Sequence, residues 1–188
     1  MPAWLSILLI FGIILALSGL FVAYKNRRET RLARESDSLS DWLVWGTGVL
    51  GLVVALLDWF ILQSQEFNIG YLVAGGVFLL AGMTIRFVSR QTLGSYYSPR
   101  LCILAGHRLV THGIYAIIRH PGYLGFILLA FGVCLIFGSL YGLIVMILAF
   151  LPALLFRITR EETLLLAHFG DDYENYRKRT KKLIPLIY

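Results

Sequence analysis

The chain has 188 residues, of which 58% are hydrophobic, and 17 Lys and Arg against 11 Asp and Glu give it a formal net charge of +6. Its mean hydropathy of +0.74 exceeds what a soluble domain of this length carries, so the composition predicts a membrane protein. We attribute the positive charge to membrane topology and attraction to anionic lipid, not to nucleic-acid binding.

Runs of uncharged or nearly uncharged residues predict the membrane-spanning helices. A helix that rises 1.5 Å per residue needs about 20 residues to cross the hydrocarbon. Such runs cover residues 4–24, 42–62 and 70–88, and we expect the first to be retained as a span because no clean cleavage site follows it. A longer run, residues 123–157, contains Gly138 and Ser139 near its middle, which predicts a helical hairpin with spans 123–137 and 140–157.

The expected fold class is therefore all-α, a single membrane-embedded domain (residues 1–188) with five transmembrane helices, a loop at 90–122 and a C-terminal helix at 158–182. The Lys and Arg residues lie in alternate connections, since residues 63–69 and the Gly138–Ser139 turn contain none. By the positive-inside rule the N-terminus is outside and the C-terminus is cytoplasmic. We expect a multi-pass protein of the cytoplasmic membrane in a prokaryote, or of the endoplasmic reticulum in a eukaryote.

The loop at 90–122 is long for such a compact chain, and long ordered loops are commonly functional. It contains three of the four histidines, His107, His112 and His120, but their spacing of five and eight, with no Cys or carboxylate partner at ligand spacing, does not predict a metal site. No hydrolase, dinucleotide-binding or P-loop motif is present. Two interpretations remain: the loop folds around a ligand, or its Arg, His and Tyr side chains anchor it to lipid headgroups.

The second polar segment begins at the end of the last span. Arg157 and Glu161 are four residues apart, so a continuing helix places them on one face. Charged groups at a membrane boundary are costly unless they are paired or functional. The residues alone leave open whether this is a structural pair or a site.

Two blocks of residues form a longer pattern. They are Gly106-His107-x-Leu109-Val110, Gly113-x-Tyr115 and Arg119-His120-Pro121-x-Tyr123-x-Gly125, followed by Glu161-Glu162, Phe169-Gly170-x-x-Tyr173-x-x-Tyr176 and Ile184-Pro185. This pattern resembles the isoprenylcysteine carboxyl methyltransferase family and, more loosely, the phospholipid N-methyltransferases. It covers residues 100–185, nearly half of the chain.

The resemblance implies a transferase that uses S-adenosyl-L-methionine as methyl donor and releases S-adenosyl-L-homocysteine. We expect no metal. It places the donor at the cytoplasmic face without a Rossmann domain. Carried over by position, the cofactor-binding residues are His107, Arg108, Leu109, Val110, Tyr115, His120, Pro121, Gly122, Tyr123 and Glu161. Because Glu162 is adjacent to Glu161, a shift of one residue would exchange their roles. Arg157 falls on the substrate-binding position, and we take it as the catalytic residue.

The implied reaction is methylation of the C-terminal carboxylate of an isoprenylcysteine or a similar lipid-linked acceptor that enters from the bilayer. A carboxylate is ionised at neutral pH and needs no general base, so catalysis would consist of positioning and water exclusion. Arg157 suits two-pronged binding of a carboxylate.

Three different functions compete with this interpretation. The main one is a phospholipid or amine N-methyltransferase, which would need a base to deprotonate its acceptor. A membrane reductase that uses a nicotinamide cofactor shares a related C-terminal motif, although such reductases are usually about twice as long. A membrane scaffold without enzymatic activity, whose basic face holds anionic lipid or protein, would need no donor site at all.

The chain also departs from the family pattern. Arg100 stands where relatives often have Gln, and the extra N-terminal spans of eukaryotic members are missing. We therefore expect a short, prokaryotic-type member of the family.

Overall fold

The computed structural model describes residues 31–33, 38–62, 68–98, 101–104 and 106–184. The predicted span at 4–24 and Arg100 lie outside these residues. Contacts divide the chain into two compact units, one of Met1–Ser36 with Tyr96–His107 and the other of Asp37–Ser95 with Arg108–Tyr188.

In the first unit, two short strands form an antiparallel pair. Strand β1 (Arg31–Ala33) pairs with β2 (Ile103–Leu104), with Arg31 opposite Leu104 and Ala33 opposite Ile103. The rings of Tyr96 and His107 stack at a centroid distance of 5.1 Å. Among the described residues these are the only strands, and the predicted all-α fold class is confirmed apart from this small pair.

The second unit consists of helices. Helix α1 (Ser38–Leu57) continues into a π-helical turn (Asp58–Leu62). Helix α2 (Ile69–Leu93) is followed by a 3-10 turn (Gly94–Tyr96), and another 3-10 turn (Gly113–Ala116) precedes α3 (Pro121–Ile136). Helix α4 (Leu140–Phe169) has a π-helical stretch (Met146–Phe150) in its first half, and α5 (Asp171–Arg179) is the last helix.

Local sequence signals account for the helix ends. The Asn68 side chain accepts hydrogen bonds from the amides of Gly70 and Tyr71, as an N-cap does. Pro121 occupies the first turn of α3, where its missing N–H is not needed. Gly94, with φ of 55°, ends α2 in a backbone conformation that glycine adopts readily.

Within the part of the chain that the structure describes, three helices are long and apolar enough to cross a membrane: Leu39–Ile61, Ile69–Tyr96 and Leu140–Phe169. Helix α3 is a shorter apolar helix. Large hydrophobic side chains such as Trp42, Leu80 and Leu148 are more than two-thirds exposed, as expected for residues in contact with lipid. The chain is accordingly an integral membrane protein.

Helices α2 and α3 approach each other closely through glycines. A Cβ atom added at Gly82 would lie 2.7 Å from the carbonyl oxygen of Gly125, and one added at Gly75 would lie 2.7 Å from that of Gly132. Small residues at such spacing let two backbones touch, and this packing drives helix association inside a bilayer.

Two predicted boundaries differ from the structure. The loop predicted at 90–122 is shorter, since α2 extends to Leu93 and α3 starts at Pro121. The helix predicted at 158–182 consists of two helices, because Gly170 breaks it with φ of 53°, and its amide donates to the carbonyl of Leu166. The turn at Gly138 and Ser139 lies between α3 and α4, where the Ser139 hydroxyl accepts from the Gly142 amide.

Candidate functional site

The polar residues of the second unit converge where the N-terminal ends of α1 and α3 meet the C-terminal half of α4. Arg157 on α4 is at the centre of this region, and only 8% of its side chain is exposed. Its Nη1 donates to the carboxylate of Asp41 and lies 3.4 Å from the Ser40 hydroxyl, and its Nε lies 3.0 Å from the Tyr123 hydroxyl. A buried guanidinium requires such partners, because an unpaired charge in a low-dielectric setting is costly.

Tyr123 connects Arg157 to a second carboxylate. Its hydroxyl donates to Glu161 Oε2 at 2.6 Å while accepting from Arg157 Nε. Arg157 and Glu161 therefore lie on one face of α4, as their spacing predicts, and a residue of α3 joins them. The Glu161 side chain remains 30% exposed.

Glu162 lies in a cluster of basic groups and is more buried, with 11% of its side chain exposed. Its Oε1 accepts from Arg119 Nε at 2.9 Å and lies 3.2 Å from His120 Nε2, while its Oε2 lies 3.3 Å from Lys182 Nζ. The same His120 ring presents Nδ1 to Glu161 Oε1 at 3.9 Å. Glu162 thus joins three basic residues, whereas the Glu161 carboxylate stays partly open to solvent.

The segment after α5 returns to the loop that precedes α3. Ile118 and Lys181 form a parallel β-bridge, with the Arg119 amide donating to the Lys181 carbonyl at 2.8 Å and the His120 amide to the Lys182 carbonyl at 3.1 Å. Arg119 Nη1 also donates to the carbonyls of Arg177 and Thr180. These bonds fix the backbone that carries Arg119 and His120.

Two buried tyrosines, Tyr115 and Tyr176, connect the segment before α3 to α5. The Tyr115 hydroxyl is 2.7 Å from that of Ser89, and the Tyr176 hydroxyl donates to the Tyr115 carbonyl at 2.7 Å. Burial raises the pKa of Tyr176 to about 12, so its hydroxyl stays protonated and able to donate at any physiological pH. Burial also raises the pKa of neighbouring Tyr173 well above its ordinary value, and nearby Glu162 and Glu161 add to this effect.

The start of α3 is packed directly against α2. Arg86 Nη1 donates to the Gly122 carbonyl at 3.2 Å, and its guanidinium lies 5.1 Å from the centre of the Phe126 ring. A Cβ atom at Gly122 would lie 3.3 Å from the Ser89 hydroxyl, so glycine allows this close approach. These contacts hold Tyr123 at a fixed distance from α2.

The structure brings together part of the set predicted from the sequence: His120, Pro121, Gly122, Tyr123, Arg157 and Glu161. Tyr115 lies below them and is buried. Arg108, Leu109 and Val110 belong to neither helix nor strand, with Arg108 exposed and the other two half-buried. His107 belongs to the first unit.

Several residues of this region carry no motif that would identify them from the sequence. Asp41 is the most important, because it is an acidic partner of Arg157 separated from it by 116 positions. The one sequence signal for it is an acidic residue immediately before the apolar run that starts at Trp42, which suggests a partner for a boundary arginine. Ser40 and Lys182 are likewise site residues that only the structure reveals, and Arg119, although it is part of the motif, is identified as a partner of Glu162 only by the structure.

Residues 75–167 match the family model for the isoprenylcysteine carboxyl methyltransferase (ICMT) family. Among curated relatives, the protein-S-isoprenylcysteine O-methyltransferase of Schizosaccharomyces pombe is 44% identical over 112 residues, covering 58% of this chain and 48% of the relative. That of Tribolium castaneum is 33% identical over 122 residues, covering 64% of this chain and 42% of the relative. The chain spans about half the length of these relatives.

The fold resembles a solved structure of the eukaryotic intramembrane Ras methyltransferase ICMT, obtained without a monobody, with a TM-score of 0.60. The match covers 83% of this chain and 55% of that chain, and the two sequences are 24% identical. The fold therefore belongs to the class of helical intramembrane proteins that this structure represents. Residues 75–167, which include Tyr115, Tyr123, Arg157 and Glu161, are thus similar to the isoprenylcysteine carboxyl methyltransferase family.

Proposed function

We propose that this protein is an S-adenosyl-L-methionine-dependent carboxyl O-methyltransferase that acts on an isoprenylcysteine or a similar lipid-linked carboxylate. The observation that carries this proposal is the buried guanidinium of Arg157, which lies within the segment that matches the family model. This guanidinium already binds a carboxylate, that of Asp41. The names of the relatives, protein-S-isoprenylcysteine O-methyltransferase, support the same reaction.

The residues present fit the methyl donor. S-adenosyl-L-methionine, when bound, supplies a methyl group on a positively charged sulfur, and it also carries an ammonium group. Glu161 is the carboxylate that would pair with a positively charged group of the donor. Its side chain is 30% exposed, whereas Glu162 is enclosed by basic groups. The non-helical backbone at Leu109 and Val110 offers N–H and C=O groups to an adenine edge.

The protein's part in the reaction is positioning. Arg157 would bind the acceptor carboxylate and orient one oxygen, while Tyr123 fixes Arg157 relative to Glu161. Since the acceptor is already ionised at neutral pH, no side chain has to remove a proton. Holding two reactants in line within a water-poor site provides a large part of the acceleration that such reactions need.

The membrane arrangement follows the sequence prediction. We propose five spans with the N-terminus outside, which puts the Arg119, Lys181 and Lys182 region at the cytoplasmic face. Arg157 lies where α4 would leave the hydrocarbon, so a prenyl tail can remain in the bilayer while its carboxylate reaches the guanidinium. Anionic lipid near this basic face would be a secondary partner.

The second candidate is an amine N-methyltransferase of the same superfamily. The partly exposed Glu161 carboxylate favours it, because an ammonium acceptor must lose a proton before attack and a carboxylate can accept one. Against it, Arg157 would repel a cationic acceptor.

The deciding experiment is incubation of the purified protein in lipid nanodiscs with methyl-labelled donor and a farnesylcysteine analogue. We expect a labelled methyl ester that mild base converts to labelled methanol. Label that resists mild base, or label found only in lipid amines, would contradict carboxyl methylation. Calorimetry with the donor alone separates both enzymes from a membrane scaffold, which would show no binding.

A further inference from the structure

Asp41 and Arg157 form an ion pair in which the two partners differ greatly in exposure. The Arg157 side chain is 8% exposed and is held by Ser40 and Tyr123 as well as by Asp41. The Asp41 side chain is 33% exposed. Arg157 is therefore fixed within the protein, whereas Asp41 is partly accessible from outside it.

The cost of separating this pair is also unequal. Asp41 is in the first turn of α1, where the helix dipole stabilises a negative charge, and it has access to solvent. It keeps part of its stabilisation when it leaves Arg157. Arg157 is buried and needs an anion beside it, because removing the partner of a buried charge is strongly unfavourable.

We propose that Asp41 is part of the acceptor site, as a resident counter-ion that the acceptor carboxylate replaces on Arg157. This inference rests on the proposed carboxyl methyltransferase function and extends it to a residue outside the matched segment 75–167. In the free protein Asp41 is the predominant carboxylate on Arg157, and Asp41 turns towards solvent while the acceptor is bound.

The exchange depends on the charge of the acceptor, which the reaction removes. In the reaction the acceptor oxygen forms a bond to the methyl carbon as the carbon–sulfur bond breaks, so the carboxylate becomes a neutral ester and the sulfonium a neutral thioether. The ester no longer competes for a guanidinium. Asp41 then returns to Arg157, so the guanidinium has an anion beside it again while the methylated product, which forms no charge pair with it, leaves.

The test compares the affinity of wild-type protein and Asp41→Asn for a farnesylcysteine analogue and for its methyl ester, measured by calorimetry in nanodiscs. Removing the competing charge should tighten binding of the free carboxylate about tenfold, the factor expected if Asp41 occupies Arg157 about nine-tenths of the time. Binding of the methyl ester should change by less than about twofold, because it does not need Arg157.

Two further variants keep the result interpretable. Asp41→Glu retains the charge and should bind the carboxylate as the wild type does. Glu174→Gln makes the same carboxylate-to-amide change at an ion pair that is 40% exposed, and it should alter neither affinity. If Asp41→Asn unfolds because Arg157 loses its anion, addition of the farnesylcysteine carboxylate should restore its melting temperature whereas the ester should not.

Weaker carboxylate binding by Asp41→Asn, or equal changes for carboxylate and ester, would overturn the proposal and leave Asp41 as a structural partner of Arg157. Failure of the proposed function gives a different pattern. In that case neither wild type nor variant binds the carboxylate, and neither forms a base-labile methyl ester.

Discussion

Arg119 and Glu162 form an ion pair, Nε to Oε1 at 2.9 Å, that links the segment before α3 to the C-terminal half of α4. His120 and Lys182 meet the same carboxylate, so a single acidic side chain joins the loop, α4 and the segment after α5. Its role in the fold can be tested separately from that of its neighbour Glu161.

Glu162→Gln should destabilise the protein by about 3 kcal/mol, because it removes the charge that compensates a largely buried arginine. The measurement is the melting temperature in detergent. The control Glu174→Gln disrupts an exposed pair with Arg177 and should cost less than about 1 kcal/mol. Equal effects of the two variants would contradict the role assigned to Glu162.

Tyr123→Phe should lower kcat/KM about tenfold and should also destabilise the protein by about 1.5–3 kcal/mol. It removes the hydroxyl that fixes Arg157 and Glu161, and a lost hydrogen bond to a charged group is worth about 1.5–3 kcal/mol. Tyr141→Phe, at a side chain that is exposed on α4, is the matched control and should retain full activity. Wild-type kinetics for Tyr123→Phe would show that the bridge has no catalytic consequence.

Arg157→Ala and Glu161→Ala should separate acceptor from donor binding. We expect Arg157→Ala to raise the KM for the acceptor while leaving donor affinity within about twofold, and Glu161→Ala to do the reverse. Donor affinity is measured by calorimetry and acceptor KM by release of labelled methanol. Equal loss of donor binding in both variants would refute this division of roles.

Gly82→Ala should destabilise the protein by about 2 kcal/mol, because its methyl group would meet the Gly125 carbonyl oxygen at 2.7 Å. Gly76→Ala lies on the same helix with nothing within 4 Å of the added carbon. That substitution should be neutral or stabilising by up to about 1 kcal/mol through helix propensity. Melting temperatures of both variants test the glycine contact, and similar values would argue against it.

Tyr176 predicts a loss of stability at alkaline pH. In the unfolded chain a tyrosine ionises near pH 10, whereas burial raises the pKa of Tyr176 to about 12, so its contribution is complete below pH 10 and declines between these values. Tyr176→Phe also loses the bond to the Tyr115 carbonyl and should be about 1 kcal/mol less stable at pH 8. The difference between the two proteins should shrink as pH rises from 10 to 12. A constant difference would contradict the raised pKa.

Local patterns in the sequence were sufficient for the helices. The runs at 42–62 and 70–88, each with one charged residue, lie within helical segments, and Gly138 with Ser139 lies in the turn between α3 and α4. The observed helix ends differ from the predicted ones because capping residues, and not hydropathy, determine where a helix ends. Helix α4 continues beyond Arg157 to Phe169, where Gly170 ends it. Hydropathy records only where the apolar segment stops.

The partners of the site residues could not be predicted in the same way. The four-residue spacing of Arg157 and Glu161 predicts that they share one face of a helix. The hydroxyl of Tyr123, which hydrogen-bonds to both side chains, is consistent with this prediction. The pairing of Arg157 with Asp41, and of Glu162 with Arg119 and Lys182, depends on how distant helices pack. Neither periodicity nor motif spacing carries that information.

The glycine contact between α2 and α3 has a consequence for how a bulky lipid could enter. Backbones that touch at two levels, Gly75 with Gly132 and Gly82 with Gly125, leave no gap through which a hydrocarbon chain can pass. These two helices act as a closed wall. The lipid-linked acceptor proposed above would have to enter between other helices, and a crosslink between α2 and α3 should leave turnover intact.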